Sequence, residues 1–265
     1  MSDGRPVGIF DSGVGGLTVA KQIRKLLPGE DIVYFGDTAR VPYGTKSKET
    51  VTRFSVENVE FLMEKDVKLV VVACNTASSL GLDFLKRCFR VPIIGVIEPG
   101  ARAAAAATRT KRVGVMGTNA TISSGAYERA IRKIGPKISV VVRGCPLFVP
   151  LVEEGWLNKP VTRQVASEYL VPLKAARIDT LVMGCTHYPL LKEVIQGVMG
   201  PGVTLVDSAK EVAKEARNIL DAAGLLNAPG RKGKDFFYVS DEPSRFIRMA
   251  ERFLGKKIKC ARRPV

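Results

Sequence analysis

Short apolar runs rich in Val and Ile recur along the chain, and each gives way to a polar or glycine-rich turn and then to a stretch with helical hydrophobic spacing. Val7-Gly-Ile-Phe10 leads through Asp11-Ser12-Gly13-Val14-Gly15-Gly16 to an amphipathic helix ending near Leu27. Ile32-Val-Tyr-Phe35 leads through a polar loop, Gly36 to Gly44, to a helix from about Lys48 to Lys65. Leu69-Val-Val-Val72 leads through Ala73-Cys74-Asn75-Thr76 to a helix ending near Phe89. The run from Ile93 to Ile97 ends at Glu98-Pro99-Gly100, ahead of an alanine-rich helix from Ala101 to Ala107. Continuous apolar runs, rather than alternating ones, mark strands buried on both faces. Their alternation with helices predicts a parallel, doubly wound α/β sheet.

The pattern then begins again. Arg112 to Gly117 with Thr118-Asn119-Ala120-Thr121 repeats Val7 to Ser12 at an offset of about 107, and Ile138 to Val142 repeats Ile32 to Phe35 at about 108. Cys185 follows Cys74 by 111, and Val203 to Asp207 follows Ile94 to Glu98 by 109. Offsets that agree in the same order predict two similar domains with mainly parallel sheets flanked by helices, related by a pseudo-twofold axis. The second domain spans 99–207. The first comprises 1–98 plus 208–265, its returning part carrying helices over Ser208 to Ala223 and Ser244 to Leu254 and a strand over Phe236 to Val239. Ligand sites favour the cleft between domains, and the axis would set Cys74 and Cys185 facing each other across it.

Leu69 to Thr76 and Thr180-Leu-Val-Met-Gly-Cys185-Thr186-His187 look like copies of each other. Each brings a cysteine to the carboxyl end of a buried strand, at the start of a helical pattern, where the helix dipole and free N–H groups favour a thiolate or a bound carboxylate. A lone cysteine there reads as a buried core residue. A matched pair reads as chemistry: two groups on opposite sides of one ligand suit removal of a proton from one face of a carbon and its return to the other. A thiol can play both parts, because its reference pKa of about 8.5 lies near working pH. His187, the only histidine, stands two residues past Cys185 and is a candidate helper. Asp11 reads either as a helix cap or as a carboxylate assisting a cysteine; its glycine-rich loop fits neither the dinucleotide fingerprint nor a Walker loop.

Composition bounds the partners. The five cysteines, Cys74, Cys88, Cys145, Cys185 and Cys260, are odd in number and never form C-x-x-C, which argues against disulfides and a zinc site. No metal, flavin or pyridoxal phosphate is expected. No apolar stretch approaches the ~20 residues of a membrane span, and the N-terminus does not resemble a secretory signal, so a cytoplasmic location is expected. The net charge is +15, and from Pro229 to Val265 there are 11 Lys and Arg against 4 Asp and Glu. That raises nucleic acid as a partner, but without a recognition motif or interleaved aromatics the basic tail reads as a solvated face.

Four motifs, in order, closely resemble those of the glutamate racemases, cofactor-independent amino-acid racemases of the aspartate/glutamate type: Asp11-Ser12-Gly13-Val14-Gly15-Gly16-Leu17-Thr18, Pro42-Tyr43-Gly44, Ala73-Cys74-Asn75-Thr76-Ala77 and Gly184-Cys185-Thr186-His187-Tyr188-Pro189. The resemblance covers nearly the whole chain. It implies that Cys185 takes the α-proton from L-glutamate and Cys74 from D-glutamate, with Asp11, His187 and Glu153 assisting. It implies that Asp11, Ser12, Tyr43, Gly44, Asn75, Thr76, Thr118, Thr121, Thr186 and His187 hold the amino acid, that D-glutamate feeds peptidoglycan, and that the protein forms a homodimer. Without a long extension before Val7, activation by a cell-wall precursor is not expected. Two other readings remain: a racemase of aspartate or another amino acid, or a decarboxylase, on the same scaffold, and a basic nucleic-acid-binding regulator. The paired cysteines disfavour a decarboxylase, which needs one thiol.

Overall fold

In the computed structural model, which describes residues 3–263, ten strands form two separate, wholly parallel sheets with helices around them. The chain begins with β1 (Val7–Asp11), α1 (Leu17–Leu26), β2 (Ile32–Gly36), α2 (Lys48–Met63), β3 (Leu69–Val72), α3 (Asn75–Leu80), α4 (Leu82–Cys88) and β4 (Ile93–Gly95). There follow α5 (Ile97–Ala107), β5 (Arg112–Gly117), α6 (Asn119–Ser123), α7 (Ala126–Ile134), β6 (Ser139–Gly144), α8 (Phe148–Glu153), α9 (Pro160–Ala175), β7 (Thr180–Gly184), α10 (Lys192–Met199) and β8 (Thr204–Val206). The chain then closes through α11 (Ser208–Ala222), β9 (Asp235–Val239), α12 (Pro243–Leu254) and β10 (Ala261–Arg262).

The first sheet has the order β10-β9-β2-β1-β3-β4 and the second β6-β5-β7-β8. The order β2-β1-β3-β4 thus recurs as β6-β5-β7-β8, the same topology at the offset read from the sequence. The central strands β1, β3 and β7 are buried at every residue, as their unbroken apolar runs require. One apolar core runs through both halves, joined by α1, α5 and α11; α11 packs on α1 and α5 and reaches β3, β4 and β7. A second core, with Phe10, Phe35, Phe61, Val70 and Val72, lies on the other face of the first sheet.

Several elements differ from the sequence reading. The strand ending at Ile97 stops at Gly95, and Glu98-Pro99-Gly100 is the first turn of α5 rather than a loop before it. Proline is tolerated there because the N–H it lacks would have no partner within the helix. The helix after Cys74 breaks at Gly81 into α3 and α4. Cys74 caps α3, but Cys185 does not start an α-helix as expected: a 3-10 turn over Tyr188–Leu191 follows it, and α10 opens only at Lys192. Pro189 disfavours helical backbone at Tyr188, whose buried hydroxyl is pinned to the Cys145 carbonyl at 2.8 Å. Within the basic tail the expected strand and helix form as β9 and α12: β9 and β10 extend the first sheet, and α12 packs on α1.

Candidate active site

Cys74 follows β3 in the first sheet, Cys185 follows β7 in the second, and both line a single cavity of about 370 Å³. The loops at the carboxyl ends of the strands build it, as expected of open α/β sheets. Ser12, Tyr43, Gly44, Asn75, Thr76, Thr118, Glu153, Thr186 and His187 line it as well. Asp11 and Thr121 stand behind its wall, each one contact away.

The two thiols have different surroundings. Cys185 Sγ lies 3.9 Å from His187 Nδ1, and His187 Nε2 lies 3.2 Å from Glu153 Oε1, so carboxylate, imidazole and thiol form a row. Burial pulls the His187 pKa down, but the hydrogen bonds to Cys185 and Glu153 and the negative charge of Asp11 outweigh it and push the value up to about 10. The ring is therefore an imidazolium at neutral pH and sets a positive charge beside the Cys185 sulfur. Burial opposes ionisation of Glu153, yet its bond to His187 and the charges of His187 and Arg245 hold its pKa below the ordinary value.

Cys74 has no such partner. Its Sγ faces Ser12 Oγ at 3.7 Å, and burial, reinforced by the negative charge of Asp11, pushes its pKa up to about 12. Cys74 thus rests as a neutral thiol.

Asp11 lies between the two sides. It does not cap α1, which opens at Gly16 without a side-chain cap. It accepts instead from the Gly13 N–H at 3.0 Å and from Thr186 Oγ1 at 3.4 Å. Burial raises its pKa against the charge of His187. Among the described residues Asp11 bonds to neither sulfur, so its influence on both is electrostatic.

Donors gather at the starts of α3 and α6. Oγ1 of Thr76, Thr118 and Thr121 form a triangle with edges of 2.9, 3.2 and 2.9 Å, joining the two halves of the molecule. Tyr127 donates to Asn75 Oδ1 at 2.7 Å, which leaves the Asn75 amide hydrogens as donors at the cavity wall. Hydroxyls, an amide and helix-start N–H groups can hold carboxylates without arginine. Tyr43 lines the cavity with its hydroxyl turned away from it. Its hydroxyl bonds to Asp37 and accepts from Asn58 Nδ2 at 3.0 Å, so it anchors the loop instead of presenting a free hydroxyl. Two glycines permit close approach between the halves. A Cβ on Gly15 would sit 2.2 Å from Thr186 Oγ1 and 2.5 Å from His187 Nδ1, and one on Gly44 would sit 2.7 Å from Thr118 Cβ.

The sequence reading missed part of the lining. Asn119 faces the cavity from the first turn of α6, where a polar residue beside the capping Thr118 was a usable signal. Val149 and Pro150 face it from α8, and nothing in the sequence says which side of so short a helix meets a cleft. Among the described residues no three His, Cys, Asp or Glu side chains are grouped to hold a metal ion, and no helix is long and apolar enough to cross a membrane.

Comparison with known proteins adds family. A model of the Asp/Glu/Hydantoin racemases matches residues 16–216. Glutamate racemase of Geobacter metallireducens is 57% identical over 254 residues, spanning 96% of this chain and 94% of that protein. Among solved structures, a glutamate racemase isoform from Bacillus anthracis superposes with a TM-score of 0.95 at 42% identity, covering 98% of this chain and 97% of that one. The Francisella tularensis glutamate racemase in complex with D-glutamate gives 0.91 at 39% identity, with the same coverage.

Proposed function

The chain belongs to the Asp/Glu/Hydantoin racemase family, and on that premise we propose that it interconverts L- and D-glutamate without a cofactor, using Cys74 and Cys185 as a two-base pair. The observation that carries this reading is the meeting of two cysteines from topologically equivalent strands in one cavity. With L-glutamate bound, the Cys185 thiolate takes the α-proton, and the pair of electrons left on Cα is delocalised into the carboxylate. Cys74, resting as a thiol, delivers its proton to the opposite face. The enzyme is left with a Cys74 thiolate and a Cys185 thiol, the state that accepts D-glutamate for the reverse reaction.

The donors at the starts of α3 and α6 suit the α-carboxylate, on which negative charge grows as the proton leaves, and a second carboxylate on the side chain. His187 and Glu153 serve the Cys185 side, and Ser12 and Asp11 adjoin Cys74. The D-glutamate formed would supply peptidoglycan from a cytoplasmic enzyme acting as a homodimer.

Turnover in deuterated water tests the mechanism, since each inversion should place solvent deuterium on the product. A glutamate analogue with chloride at the β-carbon separates the two bases. Proton removal expels chloride, and the enamine formed hydrolyses to 2-oxoglutarate and ammonium. Cys74→Ser should eliminate from the L-form alone and Cys185→Ser from the D-form alone, while racemisation by each falls by orders of magnitude, because a serine hydroxyl is a far weaker acid than a thiol. Loss of both eliminations in both variants, or retention of both, would refute the two-thiol geometry. Polarimetry on aspartate and glutamate decides chain length.

A further inference from the structure

The C-terminal helix α12 belongs to no motif of the site, yet one of its faces closes over the Cys185 side. Arg245, Arg252 and Phe253 fall at i, i+7 and i+8, on neighbouring positions of that face. Arg245 Nη2 stands 3.8 Å from Glu153 Oε2. Arg252 Nη1 donates to the Glu153 carbonyl at 2.7 Å. The Phe253 ring meets His187 edge to face with centroids 5.7 Å apart. Three separate contacts from one helix therefore converge on the two residues behind Cys185.

The local structure of α8 explains why such a hold is needed. The helix is six residues long and ends at Glu153. Trp156 N–H bonds to Leu151 O and Gly155 N–H to Val152 O, a Schellman ending with Gly155 at φ 73°. That ending turns the chain sharply and leaves the Glu153 carbonyl to be met by the Arg252 guanidinium. Gly155 also makes room for it, since a Cβ there would lie 2.9 Å from Arg252 Cζ. Two elements far apart in sequence are thus fitted to each other at the residue that orients His187.

We propose that α12 is a positioning element for one half of the reaction: through Arg245, Arg252 and Phe253 it fixes the Glu153–His187 pair, and through that pair Cys185, while Cys74 is served independently. The inference rests on the two-thiol reading above. Among the described residues no α12 side chain hydrogen-bonds to Cys74, Ser12 or Asp11, so the effect is confined to proton removal by Cys185, which elimination reads separately from proton removal by Cys74. Arg245 and Arg252 act through Glu153 and touch neither thiol.

The single-cysteine proteins supply the test. Elimination from the β-chloro analogue is first measured for Cys74→Ser with the L-form and for Cys185→Ser with the D-form; if these fail, the two-thiol reading fails and α12 is not in question. The pair Arg245→Gln and Arg252→Gln is then added to each. Loss of orientation at His187 should lower the L-elimination by Cys185 by about tenfold or more and leave the D-elimination by Cys74 within about twofold. Arg252→Lys, which keeps a cationic donor for the Glu153 carbonyl, should recover much of the loss. A merely structural helix would lower both eliminations together. Equal loss in the two backgrounds, no loss in either, or loss confined to the D-form would each overturn the proposal.

Discussion

Alkylation kinetics should separate the two cavity thiols before any substrate is added. With its pKa pushed up to about 12 by burial and the charge of Asp11, Cys74 is ionised in about one molecule in 10⁵ at pH 7, against about 3 in 100 for a free peptide cysteine. A more basic thiolate is a better nucleophile, and with a Brønsted slope of about 0.45 the difference of about 3.5 units returns roughly 40-fold. The net expectation is alkylation about 10²-fold slower than for a free thiol, before restricted access slows it further. Cys185 has an imidazolium 3.9 Å from its sulfur and should be modified well ahead of Cys74. Iodoacetamide at pH 7, quenched at intervals and read by peptide mass spectrometry, gives each rate, with exposed Cys88 as the internal standard. Labelling of Cys74 should also rise about tenfold per pH unit up to the limit of protein stability. Asp11→Asn, which removes the neighbouring negative charge, should speed it. Cys74 reacting as fast as Cys88 and ahead of Cys185 would refute the assignment of Cys74 as a neutral resting thiol.

Three other outcomes follow from the geometry. Gly15→Ala puts a methyl group where Thr186 and His187 stand, so kcat/KM should fall by about 10²-fold with circular dichroism unchanged; an active variant would mean that the turn tolerates displacement. The raised pKa of His187 gives a stabilising contribution fully present below its ordinary value near 6.5 and lost as pH rises through about 10. NMR of the lone histidine should show an imidazolium at pH 7 and, in Glu153→Gln, titration at lower pH; a neutral ring at pH 7 in the unmodified protein would contradict the charge assigned to it. Asp179 accepts from Thr108 Oγ1, Arg109 N–H and Thr110 N–H at 2.6–2.7 Å, which holds its pKa far below the ordinary carboxylate value. Asp179→Ala should cost about 2–4 kcal/mol in urea unfolding and leave activity intact. Because that carboxyl is depressed, its contribution is present above about pH 4 and fades on acidification.

The sequence made the strand order of each half legible for a physical reason. Strands buried on both faces need unbroken apolar runs, and polar residues are confined to the loops at their ends, so a repeat in hydropathy is a repeat in topology. Eleven of the thirteen expected site residues line the cavity, because such loops converge at one edge of each sheet. What stayed hidden depended on side-chain direction. Tyr43 turns its hydroxyl inward because Asp37 and Asn58 are waiting there, and neither lies in a motif. The start of α10 was misplaced because the hydropathy after Cys185 is helical even though Pro189 disfavours helical backbone before it. The reach of α12 to Glu153 joins residues 99 positions apart through one guanidinium, and no local pattern encodes such a pair.

A repeated scaffold carrying unlike thiols raises the question of what the inequality can do. L- and D-glutamate have equal free energies in water, so kcat/KM must be the same in both directions whatever the protein does to either cysteine. The inequality of the surroundings of the two sulfurs can therefore not favour one product at equilibrium. It can only decide which enantiomer the resting protein is ready to accept, and hence how kcat and KM divide between the two directions. The matching strand orders bring two sulfurs to one cavity; the unmatched residues around them, an imidazolium on one side and a buried carboxylate near the other, make the two sides of that cavity unlike.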